Sequence, residues 1–309
     1  MYIGLAAFLC LALYIFTITA PFSFEEGVLI QVPSGESIRS VGALLKEKGL
    51  IRSSMAFEAV VRASGGSIIA GEYSFQQRDN IVQVGRRLAG GDFRITPVRI
   101  KIPEGSTVRN ITDLLTEKIA DFDGAQFYRL AQSKEGYLFP DTYFILPGAT
   151  PQTVLGMMQN AFEENVLTPN VEALVKASGK SLSEIVIMAS LLEKEVPDTY
   201  DRRVIAGILW KRIKLGMPLQ VDAVFPYIIG KNSFELTRAD LRIDSLYNTY
   251  VYKGLPVGPI ANPSLDAIIA AATPIQTEYL YYLSDMQSNL HYAATYDQHL
   301  TNKATYLGS

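Results

Sequence analysis

The chain has 309 residues, of which 48% are hydrophobic and 19% charged, and its net charge is −3. That length suggests about two domains, and a chain this apolar is not disordered. The charge balance gives no support to a broad basic nucleic-acid face, and a single cysteine excludes an intramolecular disulfide framework and a cysteine-based zinc site.

Met1 to Phe24 contains no charged side chain, which is long enough to cross a bilayer as a helix. A cleaved signal peptide is the rival. A cut after Ala20 would need a small residue at Ile18 and would leave Pro21 just behind it, a poor cleavage pattern. Leu9 and Phe8 do not suit lipidation at Cys10. The expectation is an uncleaved single-pass anchor over residues 1–24. No Lys or Arg precedes it, so the positive-inside rule has nothing to count there.

A small module is expected over residues 25–95. Val28–Val32 is β-rich, Pro33-Ser34-Gly35 supplies a turn, and Ser37 can cap a helix with Ile38, Val41, Leu44 and Leu45 at helical spacing. Gly49 ends it. The same unit recurs: Val32–Lys48 matches Ile102–Lys118, with proline, glycine, arginine, both leucines, glutamate and lysine identical. Two copies do not make a solenoid. They fit either a β-turn-α unit used twice as scaffold or a small carbohydrate-binding module in the first copy. Between them, Met55–Ala63 reads as a helix and Gly71–Phe75 as a strand with Tyr73 and Phe75 on one face. Ile81–Leu88 reads as a helix stopped by Gly90-Gly91. Arg94–Ile102 alternates as a strand that carries the chain across a boundary near Thr96.

Residues 96–309 are expected to form a larger mixed α+β domain. Glu135-Gly-Tyr-Leu-Phe-Pro-Asp-Thr-Tyr-Phe144 is either an aromatic core turn or a sugar-binding wall. Gln152–Val166 is amphipathic. From Ile185, eight uncharged residues run into Glu193 and Glu195, with Ser183 as a plausible N-cap and Pro197 as a stop. Tyr200–Leu215 follows as a helix. Val204, Ile205, Ile208 and Leu209 form its buried stripe, while Arg202, Arg203, Lys211, Arg212 and Lys214 stay polar. Gly216 suits its end. Leu219–Asp222 alternates as a short strand or extended loop, which would put Gln220 and Asp222 on one side. Gly254–Pro263 holds three prolines and two glycines. It reads as a rigid loop of the kind often found at a site. Leu265–Ala272 is a short helix, Tyr279–Leu283 a strand that can pair with His291–Thr295, and the residues from Tyr296 a terminal helix.

The sequence carries no phosphate loop, no Gly-x-Gly-x-x-Gly after a strand and no Gly-x-Ser-x-Gly elbow. Carboxylate chemistry remains. Helix positions two apart lie about 200° apart, so Glu193 and Glu195 cannot share a face. Glu195 prolongs the stripe of Met188, Leu191 and Leu192, and Glu193 sits over Ala189 and Ser190. A carboxyl at the mouth of an apolar surface tends toward a raised pKa, as a general acid needs near neutral pH. This favours Glu195 as the acid and Glu193 as its support. Spacing alone leaves open two solvated glutamates at a frayed helix end.

Five motifs occur in order: Glu135–Tyr143, Ala189-Ser-Leu-Leu-Glu-Lys-Glu195, Leu215-Gly-Met-Pro-Leu-Gln-Val-Asp222, Tyr247-Asn-Thr-Tyr250 and Gly254-Leu-Pro-Val-Gly-Pro-Ile260. In this the chain resembles the MltG (YceG-like) endolytic murein transglycosylases, over nearly everything after the uncharged segment, including a LysM-like first module. The resemblance implies an inner-membrane-anchored enzyme with its catalytic domain outside the cytoplasm. It implies cleavage of nascent peptidoglycan strands between MurNAc and GlcNAc, leaving 1,6-anhydroMurNAc ends. The glutamate it implies as catalytic is the second of Glu-Lys-Glu, Glu195. Val196 departs from the family, where a small hydroxyl residue is common.

Such an enzyme needs one carboxyl group rather than the hydrolase pair. Gln220, Asp222, Asn248 and Tyr250 are candidates for orienting the acid and the N-acetyl sugars. Glu135 and Tyr137 are candidates for another wall of the cleft, and Glu193 for support. No metal or cofactor is expected. The expected partners are peptidoglycan glycan strands and the membrane, with peptidoglycan synthases as candidates and no nucleic acid. The competing readings are a hydrolytic muramidase pairing Glu195 with Asp222 or Glu135, and a non-catalytic peptidoglycan-binding protein.

Overall fold

The computed structural model describes residues 18–95, 97–232, 235–287 and 289–308. The expected membrane segment falls largely on residues 1–17, outside the described residues. The tail of that segment, Ile18–Phe24, is irregular rather than helical. Phe24 is buried and packs edge-on against Phe75, with ring centroids 6.5 Å apart. The uncharged run therefore ends inside the core of the module behind it. Among the described residues no helix is long and apolar enough to cross a membrane.

The chain divides into two compact units, one reaching Pro97 and including Leu146–Gly148, the other formed by Val98–Ile145 and the chain from Ala149. In the first, β1 (Val28–Val32) pairs antiparallel with β2 (Gly71–Phe75), placing Ile30 opposite Tyr73. Helices α1 (Ile38–Glu47) and α2 (Ser54–Ala63) lie between the strands, and α3 (Ile81–Gly90) follows. Ser37, Ser53 and Asn80 cap the three helices through side-chain oxygens, which satisfies N–H groups that the first turn leaves free. Val41, Leu45, Phe57, Val61, Tyr73, Phe75 and Leu88 form the core. The buried Arg87 donates to Asp79 at 2.7 Å.

The second unit is mixed α+β. Its first part pairs β3 (Val98–Lys101) antiparallel with β4 (Thr142–Ile145). Helices α4 (Val108–Lys118), α5 (Gly124–Ala131) and α6 (Pro151–Val166) enclose Ile111, Leu115, Phe127, Leu138 and Met158. The repeated sequence is thus a strand, turn and capped helix both times, with Thr107 in the capping position of Ser37.

The second part is built around α8 (Leu182–Glu195), in which every residue from Ile185 to Leu192 is buried. It packs against α9 (Thr199–Lys214) and α11 (Leu265–Ala272). Around these lie α7 (Pro169–Ser178), the one-turn helix α10 (Phe225–Ile229), and β5 (Tyr281–Ser284) paired antiparallel with β6 (Leu290–Ala293). Helix α12 (Tyr296–Leu307) ends the described chain.

Three local expectations are corrected. The cap of α8 is Ser181, not Ser183: Ser181 and Glu184 form a reciprocal capping box, whereas Val186 stands three residues after Ser183 and has no side-chain acceptor to return. Arg202 and Arg212 are buried rather than on the polar face of α9. The alternation over Leu219–Asp222 is not kept: of strand and loop the chain takes the loop, since Gln220 has φ of 52° and Asp222 opens a 3-10 turn. Helix α7 has a weak apolar stripe in sequence, and of its residues only Val171 is buried.

Candidate active site

The buried helix α8 ends with two carboxylates pointing into different surroundings. Glu193 is held on both oxygens. Arg202 donates to Oε1 at 2.6 Å, and the Ser264 N–H and hydroxyl donate to Oε2 at 2.9 and 2.5 Å. Ser264 is also the N-cap of α11. Arg202 continues the link, donating to Asp266 at 2.6 Å and to the Val196 carbonyl at 2.9 Å. The side chains of Arg202 and Glu193 are 6% and 5% exposed, so this pair is dry and fully hydrogen-bonded. It joins the ends of α8, α9 and α11.

Among the described residues Glu195 has neither a cation nor a serine as partner. The Tyr282 hydroxyl, on β5, donates to its Oε2 at 2.7 Å. Burial pushes its carboxyl up to about 7, and the nearby Asp222 charge adds to that rise. The Tyr282 hydroxyl and the Ala223 N–H favour the ionised form and pull it down. Asp222 itself accepts a hydrogen bond from the Tyr250 hydroxyl. Glu195 therefore titrates near neutrality among two phenols and a second carboxylate.

The loops carrying these groups are locked by backbone bonds. The N–H of Gln220 donates to the Thr249 carbonyl at 3.1 Å, and that of Val221 to the Thr249 hydroxyl at 3.0 Å. Asn248 is buried and spends its amide inside its own loop. It donates to the Leu241 and Ile243 carbonyls at 3.2 and 2.8 Å and accepts from the Tyr250 N–H at 3.0 Å. Arg212 ties the two walls together, donating to the Leu219 carbonyl and to the Leu280 carbonyl, each at 2.7 Å.

A cleft of about 500 Å³ adjoins this helix end, lined by Arg109, Tyr128, Glu135, Lys194, Ala223 and Tyr227 among others. Its volume suits a small ligand or part of a polymer. Glu135 is buried in its wall, accepting from the Val108 N–H at 3.0 Å and from the Asn262 amide at 2.9 Å. Burial pushes this carboxyl up to about 7 as well, against the pull of those two donors, the Gly136 N–H and Lys194. Asn262 also donates to the Ser106 carbonyl and accepts from the Leu138 N–H, both at 2.9 Å. It thereby fastens the Gly- and Pro-rich loop to the turn before α4. The residue after Glu135 must be glycine: Gly136 has φ of 87°, and a Cβ there would come within 2.5 Å of Pro259.

A model of the YceG-like family matches residues 30–305. The chain belongs to the YceG-like family. It is similar to a protein named endolytic murein transglycosylase from Bacillus subtilis (strain 168), at 30% identity over 91% of this chain and 85% of that one. A protein of the same name from Streptococcus pneumoniae serotype 2 is 28% identical over 92% of this chain and 59% of its own length. A crystal structure of a yceG-like protein from Listeria monocytogenes aligns with a TM-score of 0.61 and 25% identity, over 90% of this chain and 99% of that one.

In this YceG-like chain, Glu195, Asp222 and Tyr250 come together at the end of α8, and Glu135 stands in the adjoining cleft. Gln220 is exposed on its turn. Asn248 is a brace inside its loop. Tyr137 packs against Phe162, with ring centroids 5.3 Å apart, and the rings that line the cleft are Tyr128 and Tyr227. Sequence reasoning missed Tyr282, Ser264, Arg202 and Asn262 as partners of the three glutamates. Tyr282 lies in a recognisable strand, but nothing local pairs it with a carboxyl distant in sequence. The two arginines of α9 read as a solvated face because charge is visible in sequence and burial is not.

Proposed function

We propose that this protein is an endolytic murein transglycosylase in which Glu195 alone performs the proton transfers. The observation that carries the reading is the desolvated carboxyl of Glu195, raised to about 7 at the end of an apolar helix. Such a group is substantially protonated near neutral pH and can give its proton to a glycosidic oxygen. The same carboxylate then takes the proton of the MurNAc C6 hydroxyl, which closes on the oxocarbenium-like centre. The product is a 1,6-anhydroMurNAc end, and no water is consumed. The relatives that carry the name endolytic murein transglycosylase support the substrate and reaction class.

Tyr282 and the Ala223 N–H hold Glu195 in place and keep its carboxylate accessible as a base. Asp222, steadied by Tyr250, favours the protonated acid and faces the positive charge that develops on the sugar. Gln220 is the exposed side chain suited to an N-acetyl group, and Glu193 acts through the fold. The first unit is read as a LysM-like module for the glycan strand. The uncharged segment that opens the chain would tether both units to the outer side of the cytoplasmic membrane, beside the synthases that make the strand.

Mass spectrometry of digested peptidoglycan tests the reaction. The expected fragments are lighter by one water than reducing-end fragments. Reducing ends would instead mean hydrolysis with Asp222 as the second carboxylate. Near-normal release of anhydro ends by Glu195→Gln would overturn the assignment of the acid.

A further inference from the structure

The cleft beside Glu195 holds charge that the proton transfers do not use. Arg109, in the first turn of α4, is exposed and lies over the Tyr128 ring, 5.6 Å from its centroid. Lys194, between the two glutamates of α8, is exposed too. Both line the cleft. Among the described residues neither takes part in an ion pair. The one carboxyl in the lining, Glu135, is turned to the Val108 N–H and the Asn262 amide. Tyr227 forms another part of the wall, braced by Tyr247 at a centroid distance of 5.0 Å. The cleft thus offers two cations that no ion pair among the described residues holds, with Tyr128 and Tyr227 in its wall.

Cations left without partners in a concave site favour an anionic ligand. A murein strand has no charge on its sugar rings. Its carboxylates lie on the peptide stems attached through the lactyl groups. Ala223 lines the cleft and its N–H acts on Glu195, so the cleft adjoins the end of α8 that carries Glu195. We propose that this cleft is a stem-peptide subsite, in which Arg109 and Lys194 receive the stem carboxylates and Tyr128 and Tyr227 form its walls. The inference rests on the murein reading and adds a preference for strands that still carry their peptides.

The test measures binding separately from cleavage. Full-length Glu195→Gln protein is titrated with a soluble murein tetrasaccharide carrying its peptide stems, and with the same tetrasaccharide after the stems are removed. The readout is the ratio of the two affinities. Stem-bearing fragment should bind more tightly by about threefold to tenfold, the scale of one or two exposed charge contacts. Adding Arg109→Ala should bring the ratio down, Arg109→Glu should bring it to one or below, and Arg109→Lys should retain most of it. Arg109 is exposed, so these variants leave the core intact. A ratio of one in the starting protein, or a ratio that Arg109→Glu leaves unchanged, overturns the subsite. Failure of the murein reading shows elsewhere, as the absence of anhydro-ended fragments from the wild-type protein.

Discussion

The two sides of the α8 terminus treat the same side chain in opposite ways. On one side Glu193 meets a guanidinium, a serine hydroxyl and a backbone N–H, and its charge is fully compensated. On the other, Glu195 meets a phenol and stands near a second carboxylate, and its carboxyl rises to about 7. Burial alone therefore does not make an acid; burial without a cation does. The compensated glutamate holds three helix ends in register, and the uncompensated one keeps a proton near neutral pH.

The sharpest way to break this contrast is to remove each charge in turn. Glu195→Gln should cut release of anhydro-ended fragments by about 10²- to 10⁴-fold, the usual share of a general acid. It should not lower the thermal midpoint near pH 8, because it removes a carboxyl that burial disfavours. Glu193→Gln should lower the thermal midpoint, and its folded fraction should keep most of the activity.

Arg202→Ala should cost about 3–5 kcal/mol in urea unfolding, because it leaves the buried Glu193 carboxylate without its cation. A loss below about 1 kcal/mol would mean that Glu193 is held by Ser264 alone. Glu195→Gln provides the control, since it should show no such loss.

The pH dependence separates the two kinds of carboxyl. Glu135 and Glu195 are raised from 4.5 to about 7 by burial. Between those values the folded state binds more protons than the unfolded one. Their contribution to stability is present below the unfolded value and is lost as pH rises through about 7. Asp240 and Asp285 are lowered to about 2, chiefly by hydrogen bonds from Lys231 and His291 respectively. Their contribution is present above the unfolded value of 3.8 and is lost as pH falls through about 2. Urea midpoints measured in steps across the upper window should decline in wild type and flatten when Glu135→Gln and Glu195→Gln are combined. An unchanged slope would show that neither carboxyl titrates there.

The smallest expected effect is that of Tyr282→Phe. Losing a donor to the carboxylate raises the Glu195 value further, so the fall in rate on the alkaline side should move upward by roughly half to one pH unit. Activity below that fall should stay within about tenfold. A downward movement would mean that Tyr282 supports the protonated acid instead.

The repeated strand-turn-helix unit carries the same lesson. In the first copy Ser37 caps an exposed turn, and nothing stands within 4 Å of where a Cβ on Gly35 would be. In the second copy the Val108 N–H is taken by Glu135, and a Cβ on Gly105 would lie 3.3 Å from Lys194 Nζ. In the second copy the matching residues form a wall of the cleft.

Sequence by itself determined the mixed α+β class, the repeated unit, the buried helix that ends in Glu-Lys-Glu and the divergence of its two glutamates. These follow from hydrophobic period, turn chemistry and the 3.6-residue turn, all of which act locally. Only the tertiary structure decided what each carboxyl meets. The partners of Glu193 come from α9 and the start of α11, that of Glu195 from β5, and those of Glu135 from α4 and the Gly- and Pro-rich loop. Whether a carboxyl stores a charge or a proton depends on burial and on groups distant along the chain, and spacing along one helix carries no record of either.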